Sequence, residues 1–129
     1  MITVHISEDS RELRKALRKW LEIDDRVTVV GEACDGEETL RGIASTQPDV
    51  ALVDLSMPLR LGEDAVPRIR AAAPGCKVIV LSGSEPETAG AVALEADAYL
   101  CKPAPLPELA DLICRVVAQS PVRSSTATP

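Results

Sequence analysis

Five side chains in this sequence have the types and placing needed for phosphoryl chemistry. Glu8 and Asp9 follow an apolar, β-branched run, Ile2-Thr3-Val4-His5-Ile6. Asp54 closes a second run, Val50-Ala51-Leu52-Val53, and Ser82 a third, Lys77-Val78-Ile79-Val80-Leu81. Lys102 follows a fourth, Ala98-Tyr99-Leu100-Cys101. Carboxylates gathered at one place repel each other and require a proton or a cation. A hard divalent ion such as Mg²⁺ satisfies them, because it takes oxygen ligands and keeps several waters. One acid is then a nucleophile for an incoming phosphoryl group. The ion, the lysine and a hydroxyl donor would neutralise the phosphoryl oxygens.

Each residue also has an ordinary explanation. Acids such as Glu8 and Asp9 suit a helix N-terminus. Asp54 is acceptable as a turn residue before Met57-Pro58, Ser82 as a small loop residue, and Lys102 as a solvated lysine before Pro103. Taken singly, these explanations are preferred. The whole set falling at successive strand ends is a much rarer coincidence.

The elements that must position the set can be read from hydrophobic spacing. After the first strand, Leu13, Leu17, Trp20 and Leu21 fall on one helical face, with Asp9 or Ser10 as the cap. Val27 to Val30 reads as a second strand. Asp35-Gly36-Glu37-Glu38 opens a second helix, with Leu40, Ile43 and Ala44 facing inward. Val50 to Val53 is apolar on both faces, which predicts a central parallel strand. A third helix is expected from about Glu63 to Ala72, and a weak fourth from about Glu87 to Glu95. The last helix carries Leu109, Leu112, Ile113, Val116 and Val117. Five β-α units in succession predict an open parallel sheet with helices on both faces. In such sheets, sites form beyond the carboxyl ends of the strands, where the five side chains are expected to meet. The boundary is set at residue 119, with 120–129 (SPVRSSTATP) as a Ser/Thr/Pro-rich tail or the start of a linker.

Composition limits the function classes. The 129 residues suit one domain, and 46% hydrophobic content opposes disorder. With no Phe, one Trp and one Tyr, the core must be aliphatic. A net charge of −6 makes DNA binding by this chain alone an unfavourable expectation. No C-x-x-C pair or zinc-ligand spacing exists, so the four cysteines are expected to be reduced and mostly buried, in a cytoplasmic protein. No membrane association is expected, because no apolar run is long enough for a span.

With these residues in place, the sequence resembles the receiver domains of two-component response regulators, the CheY-like superfamily, over about residues 2 to 118. The resemblance is carried by Ile6-Ser7-Glu8-Asp9, by Asp49 through Asp54 to Pro58, by Val80-Leu81-Ser82-Gly83 and by Tyr99-Leu100-Cys101-Lys102-Pro103. It implies a doubly wound, flavodoxin-like α/β fold with strand order 2-1-3-4-5. It implies Asp54 as the acceptor of a phosphoryl group from a sensor histidine kinase or phosphotransfer protein. Mg²⁺, replaceable by Mn²⁺, would be held by Glu8, Asp9, Asp54 and the backbone carbonyl of Ser56. Ser82 and Lys102 would bind the phosphoryl group, Ser82 and Tyr99 would form the switch, and Lys102-Pro103 would be cis. A homodimer on phosphorylation is among the implied partners.

Val29-Val30-Gly31-Glu32-Ala33 and Asp35-Gly36-Glu37-Glu38 resemble the NarL/FixJ-type subgroup, whose members usually carry a helix-turn-helix domain after the receiver. The ten residues after Gln119 cannot form one, so the expectation is the receiver part of a transcriptional regulator or, alternatively, a stand-alone receiver acting by protein contact. The stretch from Ser82 to Lys102 is shorter than the family pattern, and Gly90 falls inside the expected fourth helix, where glycine costs about 1 kcal/mol. This leaves the dimerisation face open. A haloacid-dehalogenase-like phosphatase would place a second acid two residues after its nucleophile; here that position is Ser56. A receiver that had lost phosphorylation would lack a member of the set. The chain is therefore read as a signalling domain and not as an enzyme.

Overall fold

A computed structural model describes residues 1–55, 57, 64–83, 90 and 95–126, with backbone alone from 120. The strands are β1 (Ile2–Ser7), β2 (Val27–Ala33), β3 (Val50–Asp54), β4 (Lys77–Ser82) and β5 (Ala98–Cys101). The helices are α1 (Arg11–Glu22), α2 (Gly36–Thr46), α3 (Ala65–Ala72) and α4 (Leu109–Thr126), the last preceded by a 3₁₀ turn at Leu106–Glu108. All strand pairs are parallel, in the order β2-β1-β3-β4-β5. This is the order and class that the sequence implies.

The two-faced strands divide their side chains between two aliphatic cores. Val50 and Leu52 of β3, with Ile79 and Leu81 of β4, pack in one cluster with Leu17 and Leu21 of α1 and Leu109 and Ile113 of α4. Ala51 and Val53, with Val78 and Val80, pack in the other with Ile43 of α2 and Val66 and Ile69 of α3. Successive residues of a strand point to opposite faces, so a strand buried on both sides must be apolar throughout. All five residues of β3 are buried, the four aliphatic ones in the two cores and Asp54 at the carboxyl end. Each large aliphatic side chain removed from water in this way contributes about 1.5–3 kcal/mol.

Local signals set the helix starts. Ser10 caps α1 by accepting from the Leu13 amide at 3.3 Å, which decides between the two expected caps. Asp35 caps α2 by accepting from the Glu38 amide at 2.8 Å. Pro67 lies in the first turn of α3, where its missing N–H is tolerated.

Several expectations need correction. Trp20 is on the rim of α1 and 39% exposed, because the buried line runs through Leu17 and Leu21. Ala44 is exposed for the same reason, since α2 buries Gly36, Thr39 and Ile43. Strand β2 continues three residues beyond Val30. Of the cysteines, all free, only Cys76 is buried; Cys34 and Cys101 are exposed near strand ends, and Cys114 is half-buried. The α4 backbone continues as helix past residue 119 as far as Thr126. Gly90 has φ of 60°, a left-handed conformation that glycine favours, so it does not act there as a helix-interior residue. The rest of the helix expected over 87–95 lies outside the described residues, apart from Glu95, as does Glu63.

A large polar ring is buried within the sheet. His5 is 1% exposed and projects from β1 into a slot between Gly31 of β2 and Gly42 of α2. A Cβ added at Gly42 would lie 2.4 Å from His5 Nε2. Gly to Ala within a helix normally stabilises by about 1 kcal/mol. Here overpacking, typically about 1–3 kcal/mol, opposes that gain. Gly42→Ala is therefore expected to lower the urea midpoint, and to raise it in a His5→Ala background. An increase in both backgrounds would show that the ring does not need the slot.

Candidate functional site

The sheet brings Glu8, Asp9, Asp54, Ser82 and Lys102 to its carboxyl edge. Asp54 is the last residue of β3 and is 1% exposed. Glu8 follows β1 directly and is fully buried, while Asp9 beside it is exposed. One carboxylate oxygen from each of these three acids lies within 4.8 Å of the others. Ser82 ends β4 and is buried; its carbonyl accepts from the Lys102 amide at 2.8 Å, which ties the ends of β4 and β5 together. Tyr99 pairs with Val80 in the β4–β5 ladder and is half-buried against the α2–α3 core. The Lys102-Pro103 peptide is cis. Ser56 lies outside the described residues.

Among the described residues, Lys102 is the cation of the cluster. Its Nζ donates to Asp54 Oδ2 at 2.9 Å and lies 3.4 Å from Glu8 Oε1. Burial alone would lower the lysine pKa, but the hydrogen bond and charge of Asp54, supported by Glu8, raise it above its ordinary value. Lys102 therefore stays an ammonium. Glu8 is in a different position. Burial pushes its pKa up to about 7; the Ser10 amide, donating to Oε2 at 3.0 Å, works against this, and the nearby Asp54 charge adds to it. Although Lys102 is within ion-pair reach, Glu8 Oε1 has no hydrogen-bond partner.

That orphaned oxygen is the test of fit for a metal ion. A buried carboxylate oxygen without a partner is costly, and a hard cation among three carboxylates would satisfy it. The donor set is all oxygen, which suits Mg²⁺ and not a thiophilic metal. A second close group, Cys34, Asp35 and Glu38, is explained without a ligand. Asp35 caps α2, and Glu38 Oε1 accepts from the Cys34 amide and thiol, a reciprocal cap at the helix start.

The acidic loop is also held from behind. The Glu8 amide donates to the Ala33 carbonyl at 3.0 Å, and the Glu8 carbonyl accepts from Arg14 Nη1 at 2.8 Å. Reading the sequence alone assigns Arg14 no role. Its one signal is a cation early in a helix, where the dipole disfavours positive charge.

Residues 4–114 match the family model described as the response regulator receiver domain. The chain is similar to the transcriptional regulatory protein YvfU of Bacillus subtilis (strain 168), 35% identical over 119 residues, covering 91% of this chain and 60% of that protein. It is also similar to the nitrate/nitrite response regulator protein NarL of Escherichia coli (strain K12), 30% identical over 129 residues, covering 98% of this chain and 60% of that protein. The chain thus spans about 60% of the length of these relatives. Among solved structures, the signal receiver domain of the response regulator NarL from Mycobacterium tuberculosis superposes with a TM-score of 0.81 at 26% identity, covering 91% of this chain and 96% of that one.

The Glu8 environment sets a pH dependence. Its folded pKa, about 7, lies above the ordinary 4.5, so the fold favours the protonated acid. This contribution is fully present below about 4.5 and is lost as pH rises through about 7. In chelator, wild-type stability should therefore fall across that window relative to Glu8→Gln in urea unfolding. Parallel pH curves for the two proteins would show that Glu8 titrates normally.

Proposed function

The chain belongs to the family of response regulator receiver domains, and from that premise we propose that Asp54 accepts a phosphoryl group from a sensor histidine kinase or a histidine phosphotransfer protein. The observation that carries this reading is the buried pair Glu8 and Asp54 with the Lys102 ammonium 2.9 Å from Asp54 Oδ2 and the Glu8 Oε1 atom without a hydrogen-bond partner. A carboxylate oxygen of Asp54 attacks phosphorus, the P–N bond to the donor imidazole breaks, and the imidazole leaves with the bond's electron pair. The product is an acyl phosphate. Glu8, Asp9 and Asp54 would hold Mg²⁺, with the Ser56 carbonyl as the family pattern implies. When bound, the ion supplies charge neutralisation for the approaching phosphoryl oxygens. Lys102, already charged and seated against Asp54, supplies a second positive charge that needs little rearrangement. The reaction is self-catalysed phosphotransfer within signalling, and loss of the phosphoryl group to water resets it.

The output we propose is control of transcription, with this chain as the receiver part of a NarL-type regulator. Support comes from the relatives, which are named as transcriptional regulators and extend beyond the matched segment. The conformational signal would run from Ser82 to Tyr99 across the β4–β5 pair.

Acetyl phosphate with Mg²⁺ should add one phosphoryl group to the wild type, seen by intact-mass spectrometry, and none to Asp54→Asn. Equal labelling of both proteins would overturn the assignment. Beryllofluoride with Mg²⁺ should shift the Tyr99 ring resonances well beyond those of Trp20, and Ser82→Ala should remove that shift. A full Tyr99 response without the Ser82 hydroxyl would place the switch elsewhere.

A further inference from the structure

We infer that Arg14 is a positioning residue, whose guanidinium clamps the Glu8 backbone to the Glu32 carboxylate of β2 and thereby fixes the acidic loop for its cation. The inference rests on the cation site proposed above and assigns a function to a residue outside it.

The loop Glu8–Ser10 links the end of β1 to the start of α1, and nothing in its sequence makes it rigid. Its placing must come from its neighbours. On one side, the Glu8 amide donates to the Ala33 carbonyl at 3.0 Å. On the other, Arg14 reaches back from α1 to the Glu8 carbonyl at 2.8 Å, using Nη1. The same guanidinium donates through Nε to Glu32 Oε1 at 3.0 Å. Glu32 lies opposite Ile6 in the β1–β2 ladder, so its position is set by the sheet. Its second oxygen is held by Arg18 Nη1. The Arg14 and Glu32 side chains are 20% and 29% exposed, so the pair is partly shielded from water.

A fixed fork of donors can hold two acceptors in one geometry, which an ammonium cannot do as rigidly. The clamp therefore connects α1, the acidic loop and β2 through one planar group. Groups that orient ligands from behind typically affect metal affinity by about 10–100-fold. Charge alone would act in the opposite direction: Arg14 is a cation near three acids, so its removal should tighten Mg²⁺ binding. The sign of the effect separates positioning from charge.

The test is Mg²⁺ affinity of the full chain, read from amide shifts in an NMR titration, with thermal melting to confirm folding. Arg14→Ala should weaken Mg²⁺ binding about tenfold. Arg14→Lys, which keeps the charge but loses the fork, should also bind more weakly than wild type. Arg18→Gln, which breaks the other contact to Glu32 without touching Glu8, should bind as wild type does. Unchanged or tighter binding in Arg14→Ala would overturn the inference. If Arg14→Ala fails to fold, wild-type affinity in Arg14→Lys would overturn it. Equal weakening by Arg18→Gln would reduce the effect to general loosening and also overturn it. Asp9→Ala is the separate control: Mg²⁺ binding that survives in it sinks the cation site itself, whereas binding lost in Asp9→Ala but intact in Arg14→Ala sinks only the clamp.

Discussion

Among the described residues, two buried carboxylates share one ammonium, and the strand ends are arranged around that group. Glu8 and Asp54 are withdrawn from water at adjoining strand ends, and Lys102 reaches both. Asp54 receives the hydrogen bond and Glu8 does not. An interior of low polarity makes the uncompensated charge expensive, so one acid must take a proton or the group must take a cation. The raised pKa of Glu8 is the first solution. The second leaves both acids ionised and brings positive charge to the place where phosphoryl oxygens would arrive. On the proposed reading, a divalent cation among the three acids would be that second solution.

Such an arrangement persists only if the chain cannot relax away from it. The parallel sheet provides this resistance. β3 is buried on both faces between aliphatic clusters, so Asp54 cannot withdraw towards solvent without dragging Val53 and Leu52 from their packing. Register then fixes the neighbours: Asp54 lies opposite Leu81, one residue before Ser82, and Ser82 opposite Cys101, one residue before Lys102. Asp54 and Ser82 are thus themselves paired residues, and Glu8 and Lys102 each directly follow one. Precision at the edge is inherited from ladder hydrogen bonds in the interior.

How far this was legible in the sequence depended on whether a residue's role is local. Strand ends could be read because Val50 to Val53 and Val78 to Leu81 are apolar without interruption, and the polar residue after each run marks the edge. The sheet order required more than periodicity and came from the family pattern. The start of α2 at Asp35-Gly36 was legible from local residues, and the cap of α1 was narrowed to Asp9 or Ser10, of which Ser10 serves. What escaped were pairings across long sequence distances. Nothing near Arg14 in the chain predicts that it meets Glu32, and nothing near His5 predicts that Gly42 makes room for its ring. Trp20 was misplaced for a different reason. Spacing defines a helical stripe but not its edges, and a large ring at the margin can rest on the rim with its face in water.

The backbone bond from the Lys102 amide to the Ser82 carbonyl ties together the ends of β4 and β5. On the proposed reading, the acceptor is on β3, but both groups that would follow the phosphoryl charge, the Ser82 hydroxyl and the Lys102 ammonium, belong to β4 and β5. Because that hydrogen bond couples the two strand ends, displacement of one changes the strain on the other. Tyr99 lies three residues before Lys102 on the same short strand, packed against the α2–α3 core and not locked within it. On the opposite side, β1 and β2 are bound to the acidic loop through the Ala33 carbonyl and the Arg14–Glu32 pair. The other side is β5, a four-residue edge strand with half-buried or exposed residues, joined to β4 by its ladder and by the Asp97 carboxylate, which accepts from the Val78 amide and from Arg70.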